Sequence, residues 1–215
     1  MALVSSTDLR LTHLRFPFAV RVDALHGAAR LRDANARREV TPGNPFVVPA
    51  FAYFDCDLLP APGQSTAITL QEVPDDACPR MTLATLPGCP CHSEKHWSRA
   101  LAGEIFCLPG LPWNAALVAQ RWEVTPRLVR ARLFAEGEAL GALLREQRVA
   151  RAVYLLASGS GVRTEWLAAQ VGLGRAAALT SACANTLGPA ALRLLEGNDE
   201  RGTPSGPAPR LHLAA

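Results

Sequence analysis

The residues that most constrain the fold of this chain are Thr125 and Pro126, which mark the start of a helix. A threonine side chain can cap the free N–H groups at a helix N-terminus, and proline is well tolerated at the first helical position. Apolar residues at helical spacing lie on both sides of this start, at Leu117, Val118, Val124, Val129 and Leu133. The pattern therefore predicts two short helices joined by a tight turn.

The second of these helices carries Arg127, Arg130 and Arg132 on positions that would face solvent. A helix with several guanidinium groups that follows a tight turn suits the major groove of DNA. The alternative is a small helical hairpin with a solvated basic face. The residues of this segment alone leave both interpretations open.

The segment resembles the first DNA-reading unit of the AraC/XylS family of transcription regulators. The matching residues are Thr125, Pro126, Val129, Leu133, Glu136, Gly137, Leu140, Arg148, Ala152, Leu155 and Leu156. A second helix-turn-helix of that family is matched in weaker form by Leu167, Ala168, Gly172, Leu179, Cys183, Leu187 and Gly188. The resemblance covers roughly residues 113–192, and it implies an all-α domain of two helix-turn-helix units joined by a linker helix.

In the first unit the resemblance makes residues 114–121 the positioning helix and residues 125–135 the recognition helix. Its base-contacting positions fall on Arg127, Arg130 and Ala131, where many family members carry arginine at the last of the three. Arginine can donate two hydrogen bonds to guanine, which is worth roughly 1–3 kcal/mol of discrimination. Arg132 is expected to reach a phosphate or to pair with Glu136 one turn later.

The linker helix is predicted over residues 140–157, and the resemblance gives its Arg148 an architectural role between the two units. In the second unit, Thr164 is predicted to cap a helix over residues 165–171, and a recognition helix is predicted over residues 175–187. Alanines replace most of its polar contact positions. Arg175, Thr180 and Ser181 remain as candidate DNA-contacting residues, so specificity is expected to depend mainly on the first unit.

Charge is distributed unevenly along the chain, whose formal net charge is only +3. From residue 108 to residue 195 there are ten arginines and five glutamates, with neither lysine nor aspartate. The rest of the chain is therefore slightly acidic. Positive charge concentrated in the segment with the helix-turn-helix pattern fits the neutralisation of phosphates.

Residues 16–92 have the texture of a small antiparallel β domain, so the predicted fold class is α+β. Pro-Gly breakers separate short apolar runs, and the resemblance implies a cupin-like domain for an effector or for dimerisation. Strands are predicted over residues 16–22, 28–31, 37–40, 45–54, 67–73 and 80–86. Residues 1–15 are expected to be a flexible arm, residues 93–112 a connecting helix and linker, residues 113–195 the DNA-binding domain, and residues 196–215 a disordered tail.

Cys89, Cys91, His92 and His96 lie within eight residues of one another and raise the question of a metal site. Thiolates and imidazoles are suitable ligands for zinc or copper. Their spacing differs from the usual paired ligands of structural zinc sites, however, and favours an interdomain linker. We therefore expect no metal and no cofactor, and a helix over residues 96–107.

Together these features predict a cytoplasmic, sequence-specific regulator, an activator by the family's commoner mode, that binds double-stranded DNA. Thr125, Arg127, Arg130, Arg132, Arg175, Thr180 and Ser181 are its candidate DNA contacts. RNA polymerase, an effector or protein partner of the β domain, and a second copy of the chain are candidate partners. The alternative is an interaction module that has lost productive DNA binding. We find no membrane span, and no nucleophile, base and acid set that would indicate an enzyme.

Overall fold

The N-terminal half of the chain forms two four-stranded antiparallel sheets in the computed structural model, which describes residues 2–74, 95–159 and 162–199. The order of strands is β1-β8-β3-β6 in the first sheet and β2-β7-β4-β5 in the second. The strands are Leu3–Ser5 (β1), Leu9–Leu14 (β2), Ala19–His26 (β3), Ala28–Arg32 (β4), Arg37–Val40 (β5), Phe46–Val48 (β6), Phe54–Leu59 (β7) and Thr66–Val73 (β8).

Strand β7 shows why these residues form a sheet with one buried face. Phe54, Cys56 and Leu58 are buried, while Asp55 and Asp57 alternate with them on the other face. The outward carboxylates form ion pairs with arginines of the neighbouring strands β4 and β2. The buried faces of both sheets contribute to one hydrophobic core.

The expectation that residues 1–15 form a flexible arm is wrong. They contain strands β1 and β2, which pair with β8 and β7, and Leu3, Leu9, Leu11 and Leu14 are buried. Leu9 and Leu11 alternate with polar residues as a strand buried on one face requires, and a shift of register after Leu11 brings Leu14 to the buried side as well. Pairing with strands distant in the sequence thus orders a segment whose short apolar runs are separated by the turn-type residues at positions 5–8.

The single strand predicted over residues 45–54 is also wrong, because the chain turns within it. Strand β6 ends at Val48, before Pro49, which has no N–H to donate to a ladder. Phe51 then adopts a left-handed backbone with φ of 62°, and its N–H donates to the carbonyl of Phe16 at 2.8 Å. Strand β7 begins only at Phe54, and the strand predicted over residues 80–86 lies outside the described residues.

The C-terminal half is helical, and the predicted α+β class is confirmed. The helix predicted over residues 96–107 is observed with these bounds, and those of the helix-turn-helix units agree to within about one residue. The helices are His96–Cys107 (α1), Ala115–Arg121 (α2), Pro126–Ala135 (α3), Leu140–Ser158 (α4), Thr164–Gln170 (α5), Ala176–Leu187 (α6) and Leu192–Asp199 (α7), with a 3-10 turn at Pro189–Ala191 before the last.

Helix α7 corrects the predicted start of the tail at residue 196, because it continues to Asp199. Leu194 and Leu195 are buried against the core, and the Arg193 guanidinium donates to the carbonyl of Asp8 at 2.8 Å. The helix therefore closes the fold against the N-terminal strands. Residues 200–215 lie outside the described residues.

The buried side chains form two hydrophobic cores that divide the helices unequally. The smaller core joins α1, α2 and α3 with Leu143 at the start of α4. The larger core joins both sheets with the C-terminal half of α4 and with α5, α6 and α7. The second helix-turn-helix thus shares its core with the β domain, whereas the first has a core of its own.

Arg15, between β2 and β3, ties the β domain to the helices through a buried ionic cluster. Its side chain is only 1% exposed, and its guanidinium donates to Glu138 at 2.8 Å and to Glu146 at 2.6 Å. The same guanidinium lies 4.0 Å from the ring centre of Phe51 and 4.2 Å from that of Tyr53. Glu138 lies in the loop between α3 and α4, so the cluster attaches the β domain directly behind α3.

Burial alone would raise the pKa of Glu138, but hydrogen bonds from Arg15 and Lys95 outweigh burial and lower it. A carboxyl group whose pKa is lower in the folded than in the unfolded protein stabilises the fold fully above its ordinary value, here 4.5. That stabilisation is lost as the pH falls through the lowered value. The cluster therefore contributes at neutral pH and fails in acid.

Replacing Arg15 by methionine should destabilise the protein by about 3–5 kcal/mol, because two carboxylates lose a buried partner. The measurement is urea unfolding at neutral pH. Arg10→Met removes an exposed ion pair with Asp57 and is the matched control, for which we expect little change. The difference between wild type and Arg15→Met should shrink as the pH falls below 4.5. Equal effects of the two substitutions would contradict a dominant role for the cluster.

Candidate nucleic-acid interface

The first helix-turn-helix is set by side-chain caps at the start of both helices. The Asn114 side chain accepts hydrogen bonds from the N–H groups of Ala116 and Leu117, each at 2.9 Å. The Thr125 hydroxyl accepts from the N–H of Leu128 at 3.2 Å, with Pro126 at the first helical position. Glu123 has a left-handed backbone with φ of 53° in the turn between them.

Helix α3 buries one narrow side and exposes the rest. Val129 and Leu133 are its buried residues, and Arg127, Arg130 and Ala131 are exposed. At about 100° per residue, Arg127 and Ala131 lie opposite the buried pair, and Arg130 lies on the flank next to Arg127. Among the described residues neither Arg127 nor Arg130 forms an ion pair. The structure thus places two of the predicted base-contacting guanidiniums side by side and leaves them available to an anionic partner.

Arg132 lies on the flank of α3 rather than on its outermost side. Its guanidinium is 5.9 Å from the ring centre of Trp97 in α1. The Glu136 carboxylate, its expected alternative partner, instead accepts from the N–H groups of Trp97 and Ser98 at 2.9 and 2.7 Å. Glu136 therefore fastens the end of the recognition helix to the N-terminus of α1, a role that sequence spacing did not suggest.

Arg148, for which an architectural role was predicted, braces the loop between α1 and α2. Its guanidinium donates to the carbonyls of Pro109 at 3.0 Å and Leu111 at 3.4 Å. Burial lowers the pKa of Arg148. The same loop touches the turn of the second unit at Gly172, where a Cβ atom would lie 2.3 Å from the Pro109 carbonyl oxygen. The loop is thus held between the linker helix and the second unit.

The second unit exposes a nearly neutral surface. Arg175 is exposed at the N-terminus of α6, and Ser181 is exposed one and a half turns later. Thr180 is half-buried, and its hydroxyl donates to the carbonyl of Ala176 at 2.9 Å. Thr164 is the first residue of α5 rather than its cap, since Arg163 precedes the helix in an extended conformation. Of the three candidate contacts, only Arg175 carries charge.

The cysteines give no support to a metal centre. Cys89, Cys91 and His92 lie outside the described residues, and His96 begins α1. Within residues 2–74, 95–159 and 162–199, no group of three or more His, Cys, Asp or Glu side chains is placed to hold a metal ion. Burial raises the pKa of Cys56 and of Cys183 to about 12, so both thiols stay protonated at neutral pH.

The described helices include none that is both long and apolar enough to cross a lipid bilayer.

Comparison with solved structures gives one consistent likeness, to ToxT of Vibrio cholerae. ToxT with a bound unsaturated fatty acid matches with a TM-score of 0.55 and 10% sequence identity, over 95% of this chain and 97% of that chain. A second ToxT structure matches at 0.54 and 10%, over 92% and 98%. A third, bound to (E)-4-(8-methylnaphthalen-1-yl)but-3-enoic acid, matches at 0.53 and 11%, over 90% and 97%.

No protein-family model and no curated protein sequence matches the chain. The structural likeness extends over nearly the whole of both chains, and at this identity it shows a shared fold. The fold is AraC-like, with an N-terminal antiparallel β region followed by seven described helices. It is thus the fold that these ToxT structures share.

Gly172→Ala should destabilise the protein and weaken any DNA binding, because the added methyl group meets backbone atoms that cannot move aside. Gly174→Ala is the matched control: its φ of +70° is close to the +71° of Gly172, but no atom lies within 4 Å of its Cβ position. Left-handed strain should cost both variants about 1–2 kcal/mol. Urea unfolding should show a further loss for Gly172→Ala alone, and equal losses would contradict the close contact with Pro109.

Proposed function

We propose that this protein is a sequence-specific regulator of transcription that reads double-stranded DNA chiefly with helix α3. The observation that carries the proposal is the exposed pair Arg127 and Arg130, one turn apart on the solvent side of α3. A recognition helix of a helix-turn-helix enters the major groove with such a side. The AraC-like fold supplies the same arrangement of helices.

In this proposal Arg127 and Arg130 each donate two hydrogen bonds to the O6 and N7 atoms of a guanine. Thr125 is exposed at the N-terminus of α3, and helix N-termini commonly approach the phosphate backbone of DNA. In this proposal Thr125 faces a phosphate. Arg132 reaches a phosphate from the side of α3 that faces Trp97. The ring of Trp97 and the Glu136 anchor restrict how far this flank can move.

The second unit is proposed to position the protein rather than to read bases. Arg175 contacts a phosphate from the N-terminus of α6, and Ser181 can donate a single hydrogen bond. Thr180 has a smaller role, because its hydroxyl already donates within the helix. The loop held by Arg148 and Gly172 keeps this unit at a fixed angle to the first. A weak contact of the second unit with DNA can therefore set the position of the first unit along the DNA.

We propose further that the β domain receives the regulatory signal, from a small effector or a protein partner. In this proposal the protein is cytoplasmic, acts as an activator and contacts RNA polymerase. The Arg15 cluster supplies a route, because it joins the β domain to the loop directly after α3. Binding that displaces Arg15 would leave Glu138 with Lys95 as its remaining partner and loosen the recognition helix. A second copy of the chain is a candidate partner of the same domain.

A second candidate function is an interaction module that keeps the helical fold without productive DNA binding. The near-neutral exposed surface of α6 favours it, as does the core that the second unit shares with the β sheets. Such a protein would act through its β domain and a protein partner. An interaction module would not explain Arg127 and Arg130, two exposed arginines on α3 without an ion pair among the described residues. We therefore rank this function second.

The proposal is tested by selecting binding sites from a random pool of double-stranded DNA. A recovered site is then titrated with the protein at two salt concentrations. Arg127→Ala and Arg130→Ala should each relax the preference at one guanine by about 1–3 kcal/mol. Arg37→Ala, at an exposed residue of β5, is the control and should bind as wild type does. Wild-type affinity should fall steeply with salt, because phosphate contacts release condensed counterions.

Weak binding without an enriched site, unchanged in the α3 variants, would overturn the proposal and favour the interaction module. The two units can be separated with Arg175→Ala. This substitution should weaken binding to all sequences alike and lower the salt slope by about one, as expected when a single phosphate contact is lost.

A further inference from the structure

Phe134 is the most conspicuous exposed apolar side chain of the described residues. It is 84% exposed, against 54% for Leu25, the next among the large hydrophobic residues. Single exposed apolar residues are common on protein surfaces and need no explanation by themselves. Phe134 differs from such residues in its position, because it lies in the last turns of the proposed recognition helix.

Successive residues of an α-helix are rotated by about 100° around its axis. By this geometry Phe134 lies about 20° from Arg127 and about 40° from Arg130, and roughly opposite the buried side of Val129 and Leu133. The ring therefore stands in the same row as the two guanidiniums. Whatever surface receives Arg127 and Arg130 must also receive Phe134.

Ala131 is exposed beside them, about 40° around the helix axis from Arg127 and about 60° from Phe134. Its small side chain allows the helix to approach a partner closely next to Arg127 and Phe134. In the major groove, the one apolar group that a base pair presents is the C5-methyl group of thymine, and alanine and phenylalanine side chains are suited to contact it. A row of basic and apolar side chains thus matches a groove edge that carries guanine and thymine.

We infer that Phe134, assisted by Ala131, reads the C5-methyl group of a thymine in the DNA site. The inference rests on the proposed function and adds a second base to the specificity that the arginines would provide. Phe134 lies about 10 Å along the helix axis from Arg127 and about 6 Å from Arg130. With about 3.4 Å per base along each strand, the thymine should lie roughly three base pairs from the guanine read by Arg127 and roughly two from that read by Arg130.

The test compares a recovered site with versions in which each thymine in turn is replaced by deoxyuridine, which lacks only the methyl group. At one thymine, the replacement should weaken wild-type binding by roughly three- to fivefold, the effect of one buried methyl group. Phe134→Ala should bind the unmodified site as weakly as wild type binds the deoxyuridine site, and should be insensitive to the replacement there. Fluorescence anisotropy at one fixed salt concentration measures all of these affinities.

Leu25→Ala is the control for loss of an exposed apolar side chain away from α3, and it should keep the full thymine preference. Because Phe134 is exposed, its replacement should leave the unfolding transition unchanged, and urea unfolding checks this. If Phe134→Ala binds DNA as wild type does, or remains sensitive to the same deoxyuridine, the inference is overturned. In that event the proposed function still stands if Arg127→Ala relaxes the preference for its guanine. If wild type itself shows no sequence preference, both the inference and the proposed function are overturned.

Discussion

The attachment of the β domain to the loop after α3 depends on one buried charge, the guanidinium of Arg15. A charged group is costly to remove from water unless opposite charges and hydrogen bonds replace the solvent. Glu138 and Glu146 do so here, from the loop after α3 and from α4. The arginine comes from the β domain and the carboxylates from the helices, and of the two carboxylates only Glu138 has a second cation, Lys95, from the helical part, so the Arg15 contacts hold the two parts together.

This attachment is consistent with the different roles proposed for the two helix-turn-helix units. The second unit is built into the hydrophobic core of the β sheets, and its position is therefore fixed by extensive apolar packing. The first unit has its own core and is joined to the rest through polar contacts at Arg15 and Arg148 and through the ring of Phe106 in α1, which packs against Phe16 and Phe18. Polar contacts of this kind are specific in geometry yet depend on charge state, which makes the first unit the part that a signal in the β domain could most readily affect.

The local features of the helical half could be predicted because their causes lie within a few residues. Thr125 and Pro126 cap α3, and Gly137 ends it with a left-handed backbone at φ of 72°. The Arg15 cluster could not be found in this way, since its partners lie 123 and 131 residues away. Strands β1 and β2 were missed for the same reason, as only pairing with β8 and β7 makes them strands. Sequence alone also did not single out Phe134, because its significance comes from its exposure beside Arg127.

In the proposed function a single helix, α3, reads the bases, while the second unit anchors the complex. Methylation interference tests it directly, because methylation of guanine N7 blocks the major-groove edge that arginine contacts. The account predicts one cluster of sensitive guanines, confined to a single major-groove segment. Two clusters about ten base pairs apart, the spacing of one helical turn, would show that both units read bases and would contradict it.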